Sequence, residues 1–284
     1  DPALVDQPDR LLNLIGKASA LIVRNRTQVR GSLLEAAVVL KVVGRLGVGL
    51  DNIDMAACAA RGIAVCPATG ANNVSVAEYV ITTMTTLLPS PAYSVTKAVF
   101  AGDWPRTEAI GREGSGKTLG LIGFGAIGRD VALRAAPLGV NVTAYDPLLS
   151  ADDPAWEKVK SKPLQALIAE SDVISLHVPL TEKTRYLIDA EAIARMRPGA
   201  IVINAARGGV VDEKALANAL KDGRLGGAAL DVFETEPVTA DSGTHLANVP
   251  NLILTPHIAG LTDEANLRTS ELTAENVRRV LEKT

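Results

Sequence analysis

From residue 117 onward, short β-rich apolar runs alternate with stretches whose apolar residues recur at helical spacing. The runs Thr118–Gly123, Asn141–Tyr145, Asp172–His177, Ala200–Asn204, Gly226–Asp231 and Leu252–Thr255 predict six strands. Between them, Ile127–Leu138 and Glu213–Lys221 carry the i, i+3, i+4 apolar pattern of helices that cover a sheet. Such alternation implies an α/β fold with a parallel, doubly wound sheet. Ahead of this block a simpler α/β pattern predicts a smaller domain, with strands at Ala20–Val23, Lys41–Gly44 and Ile63–Cys66 and helices near Asp9–Lys17 and Asn52–Ala60. The last stretch, Asp263–Lys283, reads as one amphipathic helix that returns to the smaller domain. The expected division is therefore 1–70 with 262–284, and 71–261, which suits 284 residues at about 100 to 200 per domain.

Composition changes this picture little. With 47% hydrophobic and 21% charged residues the chain can build sizeable cores. A net charge of −3 offers no broad basic field, which argues against a nucleic-acid ligand. The apolar stretch 36–50 is interrupted by Lys41 and Arg45, so it is too short and too charged to span a membrane. Cys58 and Cys66 match no zinc or redox spacing, and no metal is expected. They read as structural thiols in a reducing, cytoplasmic compartment. The chain opens on Asp1 with no leader pattern ahead of the fold, which suggests a trimmed start and no signal peptide.

Two glycine motifs compete for the role of phosphate cradle. GREGSGKT at 111–118 matches a nucleoside-triphosphate loop in letters, but a polar linker precedes it and a β-run follows, whereas a true phosphate loop opens a helix. LGLIGFGAIG at 119–128 sets Gly123, Gly125 and Gly128 in GxGxxG spacing directly after a strand and before a helix. Asp146 closes the next strand 18 residues past Gly128, placed to accept from both ribose hydroxyls and to repel a 2′-phosphate. The implied architecture is a Rossmann dinucleotide-binding domain, and the implied cofactor is NAD.

Hydride transfer between NAD and an anionic alcohol needs a base for the hydroxyl proton, a cation for the substrate's charge and a partner for the base. A doubly wound sheet offers such groups at the carboxyl ends of its strands. Arg207 in INAARGG, Glu236 in ALDVFETEP and His257 in LTPHIAG follow the fourth, fifth and sixth strands. These segments resemble the signature regions of the D-isomer-specific 2-hydroxyacid dehydrogenases, and the likeness runs from Leu21 to Arg268.

The resemblance implies His257 as acid/base, Glu236 hydrogen-bonded to its imidazole, and Arg207 on the substrate carboxylate. A carboxylate beside a histidine favours the imidazolium that ketone reduction requires. It also implies cofactor contacts at Ala126, Ile127, His177, Val178, Pro179, Ala205, Ala206, Asp231 and Gly260, and a flavodoxin-like substrate domain. The loop LGVGLDNID, 46–54, resembles the family's substrate loop, with backbone N–H groups at Gly47, Val48 and Gly49 receiving the carboxylate. Arg24, Arg45 and Arg106 resemble the distal-phosphate contacts of phosphoglycerate dehydrogenases, Arg106 reaching across a homodimer. Several arginines suit a substrate with a second strong anion.

The leading expectation is therefore conversion of 3-phosphoglycerate to 3-phosphohydroxypyruvate, in serine biosynthesis. The alternatives are 3-sulfolactate oxidation, hydroxypyruvate or glyoxylate reduction and, in another class, an NAD-sensing corepressor-like binding protein. His245 shows no motif and reads as a surface residue. The family's chains open with a strand and helix ahead of the segment matching DPALVD, so the smaller domain is expected to lack its first strand.

Overall fold

Strands buried on both faces need apolar residues at every position, and this requirement shapes the larger sheet. The computed structural model describes residues 2–88 and 90–283 and divides into two compact units, Asp1–Asn72 with Leu261–Thr284, and Asn73–Gly260.

The larger unit opens with α4 (Asn73–Leu87), α5 (Ser90–Ser94) and α6 (Thr96–Phe100). It continues through β4 (Thr118–Ile122), α7 (Ala126–Ala135), β5 (Asn141–Tyr145), β6 (Lys160–Ser161), α8 (Leu164–Glu170) and β7 (Val173–Leu176). The last elements are α9 (Ala190–Arg195), β8 (Ala200–Asn204), α10 (Glu213–Lys221), β9 (Leu225–Leu230) and β10 (Leu252–Leu254). Its seven strands are all parallel, in the order β10-β9-β8-β7-β4-β5-β6. β7 and β8 are buried at every position. Alternate residues of β8 enter different cores: Ile201 and Ile203 pack with Val80 and Met84 of α4 and Val131 of α7, while Val202 packs with Leu167, Ile193 and Leu216 of α8, α9 and α10.

Strand order reverses at β4, which pairs with β5 on one side and β7 on the other. The carboxyl ends of β4 and β7 therefore flank the crevice in which such sheets bind ligands. The sequence pattern predicts six strands and the sheet has seven. β6 is two exposed polar residues paired to Thr143 and Ala144, too short and too hydrophilic to leave a periodic signal. The GREGSGKT stretch leads into β4 rather than a helix, and Gly116 N–H donates to Gly139 O at 2.8 Å.

The smaller unit holds α1 (Pro8–Ile15), β1 (Ala20–Val23), α2 (Ser32–Ala36), β2 (Val42–Arg45), α3 (Met55–Ala60), β3 (Ala64–Pro67) and the final helix α11 (Asp263–Leu281). Its parallel sheet runs β1-β2-β3. Thr262 caps α11 at Ala265 N, 3.1 Å, with Asp263 and Glu264 in the first turn and Arg278 and Arg279 in the last, each sign matched to the helix dipole. The helix lies close over β2: a Cβ on Gly44 would stand 2.6 Å from Val277 Cγ2 and 2.9 Å from Thr273 Cγ2. Burial pushes the Cys58 and Cys66 thiols above their ordinary pKa, which keeps both protonated and unreactive. Among the described residues no helix is long and apolar enough to cross a membrane.

Candidate active site

The three glycines of the nucleotide loop have different surroundings. Gly123 has φ +92°, and a Cβ there would meet His177 O at 2.4 Å, so the residue permits both the turn and the contact of β4 with the end of β7. A Cβ on Gly128 would meet Gly123 O at 2.5 Å, so this residue lets α7 press on the loop. Around Gly125 nothing lies within 4 Å of that position. The space opens at the N-terminus of α7, where the N–H groups of Ala126, Ile127 and Gly128 lack partners from the preceding helical turn and the helix dipole favours a negative charge.

Asp146 holds the loop from the next strand, its Oδ2 accepting from Phe124 N and its Oδ1 from Leu148 N at 2.8 and 2.9 Å. Each oxygen retains a lone pair for a ribose hydroxyl. Phe124 is buried and stacks on Trp156, with centroids 5.1 Å apart. An open cradle beside backbone donors, with a carboxylate at the next strand end, fits the pyrophosphate and ribose of NAD.

His177 N–H donates to Ile122 O at 2.7 Å, and Nε2 is 3.0 Å from Ser175 Oγ. Burial lowers its pKa to about 4, so the ring is neutral at pH 7. Val178 is half-buried beside Gly123, and Pro179 O accepts from Thr184 Oγ1 at 2.6 Å. The depressed pKa has a consequence for stability. Between pH 6.5 and about 4 the unfolded chain binds a proton that the folded chain refuses, so stability falls as pH drops through that window. The loss is at most about 3 kcal/mol. Urea melts from pH 7 to pH 4.5 should show a smaller slope in His177→Asn; an unchanged slope would place the acid sensitivity elsewhere.

The three residues at the following strand ends are held by backbone-directed contacts. After β8, Asn204 is buried; its Nδ2 donates to Arg207 O at 2.9 Å and its Oδ1 accepts from Ala206 N at 3.1 Å, which folds residues 205–207 into a fixed loop. Arg207 itself is half-buried, and its Nη1 donates to Ala206 O at 2.7 Å. Gly208 packs so tightly that a Cβ would stand 1.8 Å from Phe233 O, in the loop after β9.

In that loop Glu236 Oε1 accepts from Phe233 N at 3.0 Å and Oε2 lies 2.8 Å from His257 Nδ1. The carboxylate thus takes Nδ1 and not Nε2. His257 sits at φ +57°, in the left-handed region that few residues other than glycine adopt, and half of its side chain is exposed. The loop is kept there by buried Asp231, which accepts from Thr255 Oγ1 at 2.6 Å and from Ile258 N and Ala259 N at 2.8 Å, while its own carbonyl accepts from His257 N at 2.8 Å. Tyr79 of α4 joins this cluster through its hydroxyl, 2.7 Å from Thr255 Oγ1. Gly260 closes the loop, half-buried.

Residues 86–259 match the family described as D-isomer specific 2-hydroxyacid dehydrogenase, NAD binding domain. The chain belongs to this family. It is an NAD-dependent 2-hydroxyacid dehydrogenase. It is 56% identical over 282 residues to an (S)-sulfolactate dehydrogenase of Chromohalobacter salexigens, covering 99% of this chain and 90% of that one. A D-3-phosphoglycerate dehydrogenase of Archaeoglobus fulgidus is 42% identical over 272 residues, and the match spans 95% of this chain but only 50% of that protein. Among solved structures, the D-lactate dehydrogenase of Aquifex aeolicus, complexed with NAD and lactic acid, superposes with a TM-score of 0.85 at 34% identity, covering 96% and 85% of the two chains.

The remaining candidates lie in the dehydrogenase as follows. In the smaller unit the Arg45 guanidinium folds against Gly47, which has φ +141°; a Cβ there would stand 2.5 Å from Arg45 Nη1. Gly47 N–H donates to Arg45 O at 2.8 Å, so of the three expected backbone donors only Val48 and Gly49 are left to face a ligand. Arg24 is exposed, and its carbonyl accepts from Asn52 Nδ2 at 2.9 Å. Buried Asn52 also reaches Thr27 O at 2.7 Å, a support for the Arg24 loop that no sequence motif announces. In the larger unit Arg106 is exposed on the segment after α6. His245 is not the surface residue expected of it: it is partly buried, with Nε2 3.0 Å from Glu213 Oε2.

Proposed function

We propose that this dehydrogenase oxidises (S)-3-sulfolactate to 3-sulfopyruvate. The observation that carries this reading is the 56% identity to a sulfolactate dehydrogenase across nearly the full length of both chains. The 3-phosphoglycerate reading, which led on sequence alone, draws on relatives that this chain matches over about half of their length. The handedness also agrees with a D-specific family. In sulfolactate the sulfonatomethyl group outranks the carboxylate because sulfur outranks oxygen, whereas in lactate the carboxylate outranks methyl. The (S) label on one and the D label on the other therefore describe the same arrangement about C2.

In this proposal Arg207 holds the substrate carboxylate and polarises the C2 oxygen. His257 Nε2 takes the hydroxyl proton, and Glu236 balances the imidazolium that forms. NAD, when bound, supplies the hydride acceptor for C2. Val48 N–H and Gly49 N–H add donors to the carboxylate, while Arg24 and Arg45 take the sulfonate with forked hydrogen bonds. A homodimer belongs to the same reading: Phe100 and Trp104, 94% and 73% exposed, give the segment carrying Arg106 an apolar face that a second copy would cover. A monomeric sedimentation coefficient would remove that part.

The test is NAD reduction with both 3-sulfolactate enantiomers, D-3-phosphoglycerate and D-lactate. The (S)-sulfolactate is expected to give the highest kcat/KM. Arg45→Ala should lower that value about 10- to 100-fold, because charged hydrogen bonds contribute about 1.5–3 kcal/mol each, and should leave D-lactate, which has no distal anion, almost untouched. Preference for D-3-phosphoglycerate would overturn the sulfonate in favour of the phosphate ester.

A further inference from the structure

A second carboxylate–imidazole pair lies behind the first. Glu213 opens α10 and is only 5% exposed, although a carboxylate in a first helical turn gains from the dipole without leaving water. Helix capping does not account for its burial, since Asp212 already caps α10 by accepting from Ala215 N at 3.0 Å. A buried carboxylate must be well partnered, and the partners of Glu213 lead toward the reacting histidine. Its Oε1 accepts from Glu234 N at 2.6 Å and its Oε2 is 3.0 Å from His245 Nε2. Glu234 in turn accepts from Glu213 N at 3.4 Å and from Tyr186 Oη at 3.0 Å. Two residues on, Glu236 holds Phe233 N and His257 Nδ1.

We propose that Glu213 and His245 are positioning residues for the acid/base pair: by fixing Glu234 N–H they set the 233–236 turn, and the turn sets where Glu236 presents Oε2 to His257. The inference rests on the acid/base roles assigned to His257 and Glu236 above. Glu213 acts because its buried Oε1 accepts from Glu234 N–H at 2.6 Å, shielded from solvent. His245 acts because it is the partner that keeps the second oxygen of Glu213 turned inward. His245 sits in the turn Thr244–Leu246, anchored by buried Leu246, and Lys221 Nζ donates to its carbonyl at 3.5 Å. On the other side a cavity of about 450 Å³, lined by Glu213, Glu234, Asp241, Thr244 and His245, opens to the pair.

The test is steady-state kinetics of the full-length enzyme with NAD and its best hydroxy acid, comparing Glu213→Ala, Glu213→Gln and His245→Ala, each checked by thermal melting and NAD titration. Small misplacements of a catalytic group cost up to about 100-fold. Glu213→Ala is therefore expected to lose about 10- to 100-fold in kcat, with both KM values within about twofold. Glu213→Gln should recover most of the loss, because its amide oxygen still accepts from Glu234 N–H. His245→Ala should lose less, and added imidazole, entering through the cavity, should restore part of its kcat.

An unchanged kcat in Glu213→Ala, whatever its melting temperature, would reduce the pair to a brace. A loss that Glu213→Gln fails to relieve would make charge rather than position the cause, and would overturn the proposal equally. If Glu213→Ala does not fold, Glu213→Gln and the imidazole response of His245→Ala decide the matter. His257→Ala runs beside them: if it stays active, the acid/base assignment itself fails, whereas an inactive His257→Ala with an unaffected Glu213→Ala sinks only this inference.

Discussion

His257→Ala is expected to lower kcat by about 10⁴-fold, the upper end of what a positioned acid/base supplies, while NAD affinity stays within about twofold. Glu236 occupies Nδ1 at 2.8 Å, so Nε2 is the ring atom left to exchange a proton with substrate. The backbone adds a second expectation. A side chain at φ +57° is held against its preference, at a cost of about 1–2 kcal/mol, and the restraint comes from the three hydrogen bonds that Asp231 receives from residues 255, 258 and 259.

Glycine pays no such cost, so His257→Gly should be inactive and yet up to about 1 kcal/mol more stable than wild type. Denaturant melts alongside initial rates check both. A less stable glycine variant would mean that the loop carries no strain, and a variant that still turns over would dismiss His257 as the base.

What was legible in the sequence follows from the range of each signal. β7 and β8 are legible because both faces are covered and all but Ser175 and Asn204 are apolar, and the glycine loop is legible because two tight backbone contacts and one open approach fall within six residues. β6 left no signal because two polar residues have no period. The histidine–carboxylate pair was implied by the family resemblance of its segments, but the atoms that aim it were not. Beside the cofactor-lining role expected of it, Asp231 holds the loop of His257 with both side-chain oxygens, a task no motif announces. Tyr79 meets Thr255, and His245 meets Glu213, across long stretches of chain, and no local pattern encodes such encounters. Gly47 was expected to offer its N–H to a ligand, but the turn it permits directs that N–H to Arg45 O.

The same glycine loop separates binding from folding. Gly125 has φ −72°, which any residue adopts, and empty space where a Cβ would lie. Gly125→Val should therefore fold with stability within about 0.5 kcal/mol of wild type. Its methyl groups would nevertheless fill the approach to the N-terminus of α7 and hold a pyrophosphate away from the backbone N–H groups. Charge-assisted hydrogen bonds contribute about 1.5–3 kcal/mol each, so loss of two predicts NAD binding weakened by at least about 100-fold.

Gly123→Ala should behave in the opposite way. Its φ of +92° and a Cβ 2.4 Å from His177 O force β4 and β7 apart at their carboxyl ends, and the fold should lose about 2–4 kcal/mol before any ligand is added. Calorimetric NAD titration and urea melts of the two variants distinguish these losses. If Gly125→Val binds NAD normally, the pyrophosphate does not lie over that glycine. If Gly123→Ala melts like wild type, the contact between the glycine loop and the end of β7 is not what closes the crevice.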